Sequence, residues 1–393
     1  MALSYTEGKS LAVNLHADLR TAILASSDWT RMTSDTPIIA TTAASAVGAT
    51  TLTFASGAPA TAGITVGSMV RIDSGPNKAE YRLVTAVAAT TITIAALAFA
   101  HNSGTSIYWG SEAYKATTTR GATMMFDLAD GPISNTTALQ ITAYSEDLGG
   151  LAQNNPRLGT RYLSFKGANS GAITTNFVYW TVSVSKEHVF IMVEGPRSGE
   201  TGADVASYGS IRTYMFMGDL VPYYGSGVDP TPVAVLAMSG DGAYKTTTGP
   251  YSHKPQVTKN LTGSKPWNWG VLTSLEFPGA QGPFQANRTA PDGSLTMSPY
   301  VYFDDEDGMR GRLANFFYVG PNGNGGDWSG PEEAVTANSF TTYDGVKYKI
   351  LAVNRNNTAN NGAVFGPFGW FTPNSGLPGS FYSPLVAVPY STA

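Results

Sequence analysis

Three apolar runs near the middle of the chain set its pattern. The first is Phe177-Val178-Tyr179-Trp180-Thr181-Val182-Ser183-Val184, and the second is His188-Val189-Phe190-Ile191-Met192-Val193-Glu194. The third is Tyr214-Met215-Phe216-Met217-Gly218-Asp219-Leu220-Val221-Pro222. A charged turn, Ser185-Lys186-Glu187, separates the first two, and a Gly/Ser/Arg stretch from Gly195 to Ser210 separates the last two. Aromatic and β-branched runs punctuated in this way predict an antiparallel meander. In the first run Val182 and Val184 alternate with Thr181, Ser183 and Ser185, which predicts one buried and one half-exposed face. The second and third runs are apolar on both faces, as strands covered from both sides are.

Helical periodicity occurs once. Leu11, Leu15, Leu19, Ala22 and Ile23 form one apolar stripe, which predicts a helix over 10–26 with Ser10 as its N-cap. Trp29 follows and is expected to fold back as a core plug. Residues 40–110 then carry short strands between Gly/Ala/Ser turns: Thr50 to Phe54, Ser68 to Ile72, Glu80 to Val87, Thr91 to Ile94 and Ser106 to Trp109. They predict a small β-barrel or sandwich inserted between the helix and the main sheet. Glu80-Tyr81-Arg82 at the head of one strand reads as an exposed edge or a contact face.

The expected fold is therefore mainly β: an antiparallel β-sandwich or meander core, one N-terminal amphipathic helix and an inserted small β-barrel module. Residues 1–39 would hold the helix and a linker packed on the main sheet, and 40–110 the barrel. Residues 111–240 would form the main antiparallel β domain, and 241–393 a loop-rich β region ending in an extended arm. That arm, Pro384 to Tyr390, has proline at its start and near its end. It reads as an edge strand or a segment laid on a neighbouring subunit.

Composition narrows the function. Only 13% of the 393 residues are charged and the net charge is −4, so no basic field exists to attract nucleic acid. There is no cysteine, which removes disulfides, thiolate nucleophiles and Cys-ligated metals. The N-terminal residues lack the basic and apolar regions of a signal peptide, and no run approaches the ~20 apolar residues of a membrane helix. Abundant Gly, Thr, Ser, Asn and Tyr with scarce Lys and Glu suit a surface packed against other protein, and equally an ordinary all-β protein with few helices.

Candidate chemistry is sparse. The four histidines, His16, His101, His188 and His253, have no metal-ligand spacing between them. No Gly-x-Ser-x-Gly elbow occurs, and Gly320 to Gly326 lacks the Lys-Ser/Thr ending of a phosphate loop. Asp304, Asp305 and Asp307 lie in an acidic run that is a weak cation candidate; a solvated turn accounts for it as well. Those carboxylates with Glu332 and Glu333 raise a glycan-hydrolase alternative, which needs a pair facing across a cleft. Trp267, Trp269, Trp370 and Phe371, read as loop residues, and Tyr390 in the arm are the candidate interaction residues, since interfaces concentrate such side chains. No cofactor is expected.

A resemblance adds to this. Ala46 to Thr53, Val66 to Ile72, Val84 to Val87, Thr91 to Ile94 and Phe99 to Thr105 resemble small β-modules that recur in phage structural proteins. The helix with Trp29, the meander from Tyr179 to Val193, Tyr214 to Pro222, Gly311 to Phe317 and Tyr348 to Arg355 resemble, in layout, uncharacterised virion structural proteins of tailed bacteriophages. The resemblance implies a non-enzymatic component of the virion, in the tail or baseplate, assembled in the host cytoplasm. Its partners would be other virion proteins and copies of itself, with no nucleic acid and no membrane. A capsid or collar decoration protein and a module binding a host glycan receptor are the alternatives.

Overall fold

The computed structural model describes residues 2–32, 36–75, 78–130, 138–144, 157–164, 177–195, 212–222, 232–237, 256–258, 295–304, 308–321, 340–352, 364–366, 369–371 and 385–392. The fold is mainly β and antiparallel, with one short N-terminal helix. No helix among the described residues is long and apolar enough to cross a membrane.

In chain order, β1 (Ser4–Leu11) leads through a single 3-10 turn into α1 (Leu15–Ile23), followed by β2 (Thr30–Arg31). Next come β3 (Ile39–Ala40), β4 (Thr51–Thr53), α2 (Ala58–Thr61), β5 (Met69–Asp73), β6 (Ala79–Val87), β7 (Thr91–Ile94) and β8 (Ser106–Trp109). Then follow β9 (Glu112–Thr117), β10 (Thr123–Asp130), β11 (Ala138–Tyr144), β12 (Arg157–Ser164), β13 (Phe177–Ser185), β14 (His188–Glu194) and β15 (Arg212–Pro222). The remainder are β16 (Pro232–Ala237), β17 (Gln256–Thr258), β18 (Leu295–Asp304), β19 (Gly308–Pro321), β20 (Phe340–Tyr343), β21 (Val346–Ala352), β22 (Val364–Gly366), β23 (Gly369–Phe371) and β24 (Leu385–Thr392).

The helix is shorter than its periodicity predicts because Ser4 to Leu11 is a strand, paired along its whole length with β13. Ser10 is not the N-cap. Its hydroxyl instead accepts the Trp180 indole N–H at 2.8 Å and donates to Asp18. The indole lies over Gly8, its register partner, where no side chain fits. Trp29 is the expected plug: it is 3% exposed and its indole N–H donates to the Ser185 carbonyl at 2.9 Å.

Residues 39–109 are an insertion. β2 and β9 pair with each other, so the chain leaves the five-stranded sheet β12-β11-β10-β9-β2 at Arg31 and re-enters it beside that point at Glu112. Between them the order β3-β8-β5-β6-β7-β4 encloses its own apolar cluster, centred on Leu52, Val70, Ile72, Val84, Ile92 and Ile107.

The largest sheet runs β1-β13-β14-β15-β19-β24-β21-β20, and so draws strands from both sides of residue 240. One face of β13 to β15, with Val182, Val189, Ile191 and Met215, shares a core with α1, Trp29 and the inner face of the five-stranded sheet. The opposite face carries Phe190, Tyr214 and Phe216, which close on Phe316 of β19; the Phe216 and Phe316 rings stack 4.3 Å apart. The central strands are thus covered on both sides, as their uninterrupted apolar runs require. The expectation of a half-exposed face on the first run fails: Thr181 is 5% exposed, and Ser183 and Ser185 are fully buried.

What covers that polar face is β24. Expected as an edge strand or an arm laid on a neighbouring subunit, it lies inside the sheet of its own chain, with β19 on one side and β21 on the other. Pro389 is tolerated there because the register shifts at this point: Tyr348 faces Pro389, Lys347 faces Ser391, and Tyr390 is left as the extra residue of a bulge.

Candidate interaction surface

The bulge turns Tyr390 toward neighbours on two other strands. Its ring lies 4.8 Å from Tyr5 of β1 and 4.8 Å from Phe340 of β20, tilted or edge-on in each case. Three aromatic rings from three strands thus form a row. Two ion-pairing groups sit beside it. Glu7 accepts hydrogen bonds from the Tyr5 hydroxyl at 2.5 Å and from the Lys349 ammonium at 2.6 Å. Burial, aided by the bond to Glu7, pushes the Tyr5 phenol far above its usual range, so it stays a donor. Lys347 lies 4.4 Å from the Phe340 centroid and 5.7 Å from that of Tyr390, a cation–π arrangement, and no carboxylate among the described residues pairs with it. Tyr390 is therefore half-buried against its own chain, while Phe340 remains 45% exposed. Tyr5 was missed as a partner because its alternation, in Ser4 to Leu11, is short and precedes the helix stripe.

Of the other expected interaction residues, two lie in a described strand. Trp370 and Phe371, expected in a loop, belong to β23, which forms a two-stranded hairpin with β22. Trp267 and Trp269 lie outside the described residues, as do Asp305, Asp307, Glu332 and Glu333. Asp304 closes the hairpin between β18 and β19, facing Gly308. No cluster of metal-ligating side chains occurs among the described residues.

One constellation has the spacing of a nucleophile and its base. His188 Nε2 lies 2.9 Å from Ser183 Oγ, and His188 Nδ1 lies 2.8 Å from Ser185 Oγ. The hydrogen bonds at either end fix every proton. Ser183 donates to the Pro389 carbonyl at 2.7 Å, so toward His188 it accepts, and Nε2 carries the proton. Nδ1 then accepts from Ser185, whose oxygen accepts the Glu187 backbone N–H at 3.1 Å. Burial pushes the imidazole down to about 3 and keeps it neutral. The serines are fully buried and His188 is 1% exposed, under the Phe216 ring stacked 5.7 Å away. The chain Glu187–Ser185–His188–Ser183–Pro389 pins the C-terminal strand to the meander, and no substrate reaches its hydroxyls in this conformation.

A second polar cluster ties the insertion to the body. Glu80 is fully buried and accepts from His101 Nε2 at 2.5 Å and from the backbone N–H groups of Ala98 at 2.8 Å and Phe99 at 3.3 Å; it also pairs with Arg82. Arg82 reaches Asp130 of β10 at 3.4 Å, and Asp130 accepts the Tyr81 N–H at 3.0 Å and faces His16 Nε2 of α1 at 2.9 Å. Burial raises the Asp130 carboxyl, but the His16 imidazole, Arg82 and the Tyr81 N–H outweigh it and hold the group below the usual carboxylate range. Glu80-Tyr81-Arg82 is thus an internal contact face, on a strand interior to its sheet, rather than an exposed edge. His16, expected on a polar helix face, does lie there, and that face is the junction.

No protein-family model matches the chain, and no curated protein matches it. The functional reading rests on the residues themselves.

Proposed function

We propose that the chain is a structural component of a tailed-phage virion, placed in the tail or baseplate, acting by shape and subunit contact rather than by catalysis. In this reading the two large sheets form a sandwich and the inserted strands close as a small barrel carried on its flank. The observation that carries the proposal is the way that insertion is mounted on the body. The chain leaves and re-enters through two paired strands, and a buried salt-bridge cluster on Glu80, Arg82 and Asp130 fixes its angle to the body. Buried charge networks of this kind favour a unique geometry over extra stability, as a repeating particle demands. The sequence resemblance of 46–105 to phage β-modules supports the same reading.

Mass spectrometry and antibody labelling of purified phage particles test it. The protein is expected in every particle, in a copy number matching tail symmetry, with label at the tail. Its absence from purified particles overturns the proposal, and label on the head or neck replaces it with the decoration alternative. The half-exposed row of Tyr5, Tyr390 and Phe340 beside Lys347 supports one second reading, a module that binds a host glycan, since aromatic faces stack on sugar rings. Glycan-array binding by the purified protein decides that alternative.

A further inference from the structure

The outer edge of the largest sheet is β20, and it is built to accept another strand. Its turn, Asp344-Gly345, has φ of 49° and 70°, the two-residue mirror turn that closes a hairpin tightly. In such a hairpin the closing pair Tyr343–Val346 exchanges both backbone hydrogen bonds, and so does Thr341–Tyr348 two residues away. The N–H and C=O groups of Phe340 and Thr342 therefore point away from β21. Among the described strands nothing pairs on that side, since β20 ends the sheet order.

Edges left open in this way are normally blocked by a lysine, a proline or a bulge. β20 carries no lysine, proline or bulge, its sequence being Phe-Thr-Thr-Tyr and its register unbroken, and only its four-residue length limits the contact. Phe340 is 45% and Tyr343 39% exposed, so the edge is apolar as well as open. The opposite end of the sheet, β1, carries Glu7 and Lys9. A row of outward backbone donors and acceptors is satisfied by another strand.

The charge pattern selects which strand. A strand that pairs with its own copy about a two-fold axis sets some residues against themselves, so any charge on it tends to meet its like. With the axis at Thr341, Phe340 meets Thr342 of the other copy, Thr342 meets Phe340, and Thr341 meets Thr341. No charge lies in that seam. The two nearest cations are held back from it, Lys347 over the Phe340 ring and Lys349 on Glu7. We propose that β20 joins two copies of this chain edge to edge, as an antiparallel pair continuing one sheet into the next. The inference deepens the assembly reading above and rests on it for its biological sense.

The test is sedimentation velocity of the full-length protein across a broad concentration range, with Thr342→Pro and Thr341→Lys beside it. Thr342→Pro removes one outward N–H and leaves the hairpin's own bonds intact. Thr341→Lys sets two ammonium groups against each other. Each change acts twice by symmetry, so association is expected to weaken at least about tenfold in either variant. Far-UV circular dichroism confirms the fold, and if the proline variant unfolds the lysine variant decides. A wild-type protein that stays monomeric throughout, or a dimer that survives both changes, overturns the proposal. A solution monomer still found in particles defeats this contact alone; a β20-dependent dimer missing from particles defeats the virion reading alone.

Discussion

The buried Ser185–His188–Ser183 chain makes His188 a stability sensor with a calculable slope. In the folded protein burial holds the imidazole down to about 3, against 6.5 when it is free. Between those limits the unfolded chain binds a proton that the folded chain refuses, so stability falls as pH falls. The contribution is fully present above the unfolded value and is lost progressively down to the folded one. Each pH unit in that window costs about 1.4 kcal/mol. At pH 5, some 1.5 units below the unfolded value, the loss from this side chain alone is about 2 kcal/mol relative to neutral pH. His188→Gln keeps an uncharged donor and acceptor in the same space and removes the titration. Urea unfolding of both proteins at pH 7, 6 and 5, followed by tryptophan fluorescence, is expected to show the wild type losing about 2 kcal/mol more than the variant over that span. The variant is expected to be the less stable of the two at pH 7, because the fixed geometry of the chain is disturbed. The comparison isolates His188, since the two proteins differ at that residue alone. An equal loss in the two proteins would refute the reasoning.

Three further outcomes are expected. Gly8→Ala drives a Cβ into the Trp180 ring, so the indole must leave Ser10; a destabilisation of about 1–3 kcal/mol in urea is expected, where an open site would tolerate alanine freely. Glu80→Ala leaves Arg82 and His101 buried without their carboxylate and is expected to cost about 3–5 kcal/mol, with hydrogen exchange rising first in residues 69–109. The Asp130 carboxyl is held below its usual range when folded, so its stabilisation is present above about pH 4 and is lost as pH falls below that. Asp130→Asn is expected to be less stable at pH 7 and to lose less on acidification, read from urea midpoints at pH 5 and pH 3.

Side-chain alternation is a local property, and it was enough for much of this fold. It placed the meander strands β13 to β15, five of the six strands of the insertion and the apolar stripe of α1, because each buries a periodic set of its own residues. It also gave the two-sided burial of β14, since an unbroken apolar run is stable only when both faces are covered. What covers each face is not local. Ser183 and Ser185 read as half-exposed until a strand some two hundred residues later in the chain closes over them and accepts a hydrogen bond from the Ser183 hydroxyl. Glu80 and Arg82 read as an exposed edge or a contact face, and only Asp130 and His101 decide for the contact face. Tyr390 was visible as an aromatic near the C-terminus, but its place beside Tyr5 and Phe340 depends on a one-residue bulge and on three strands distant in sequence. By itself the sequence determined the apolar sets that must be covered and the longer strands that carry them, but not β1, whose short alternation runs into the helix stripe. Only the tertiary structure decided which strands are neighbours, because a hydrogen-bonded sheet edge accepts any strand, and register and order are set by the whole core at once.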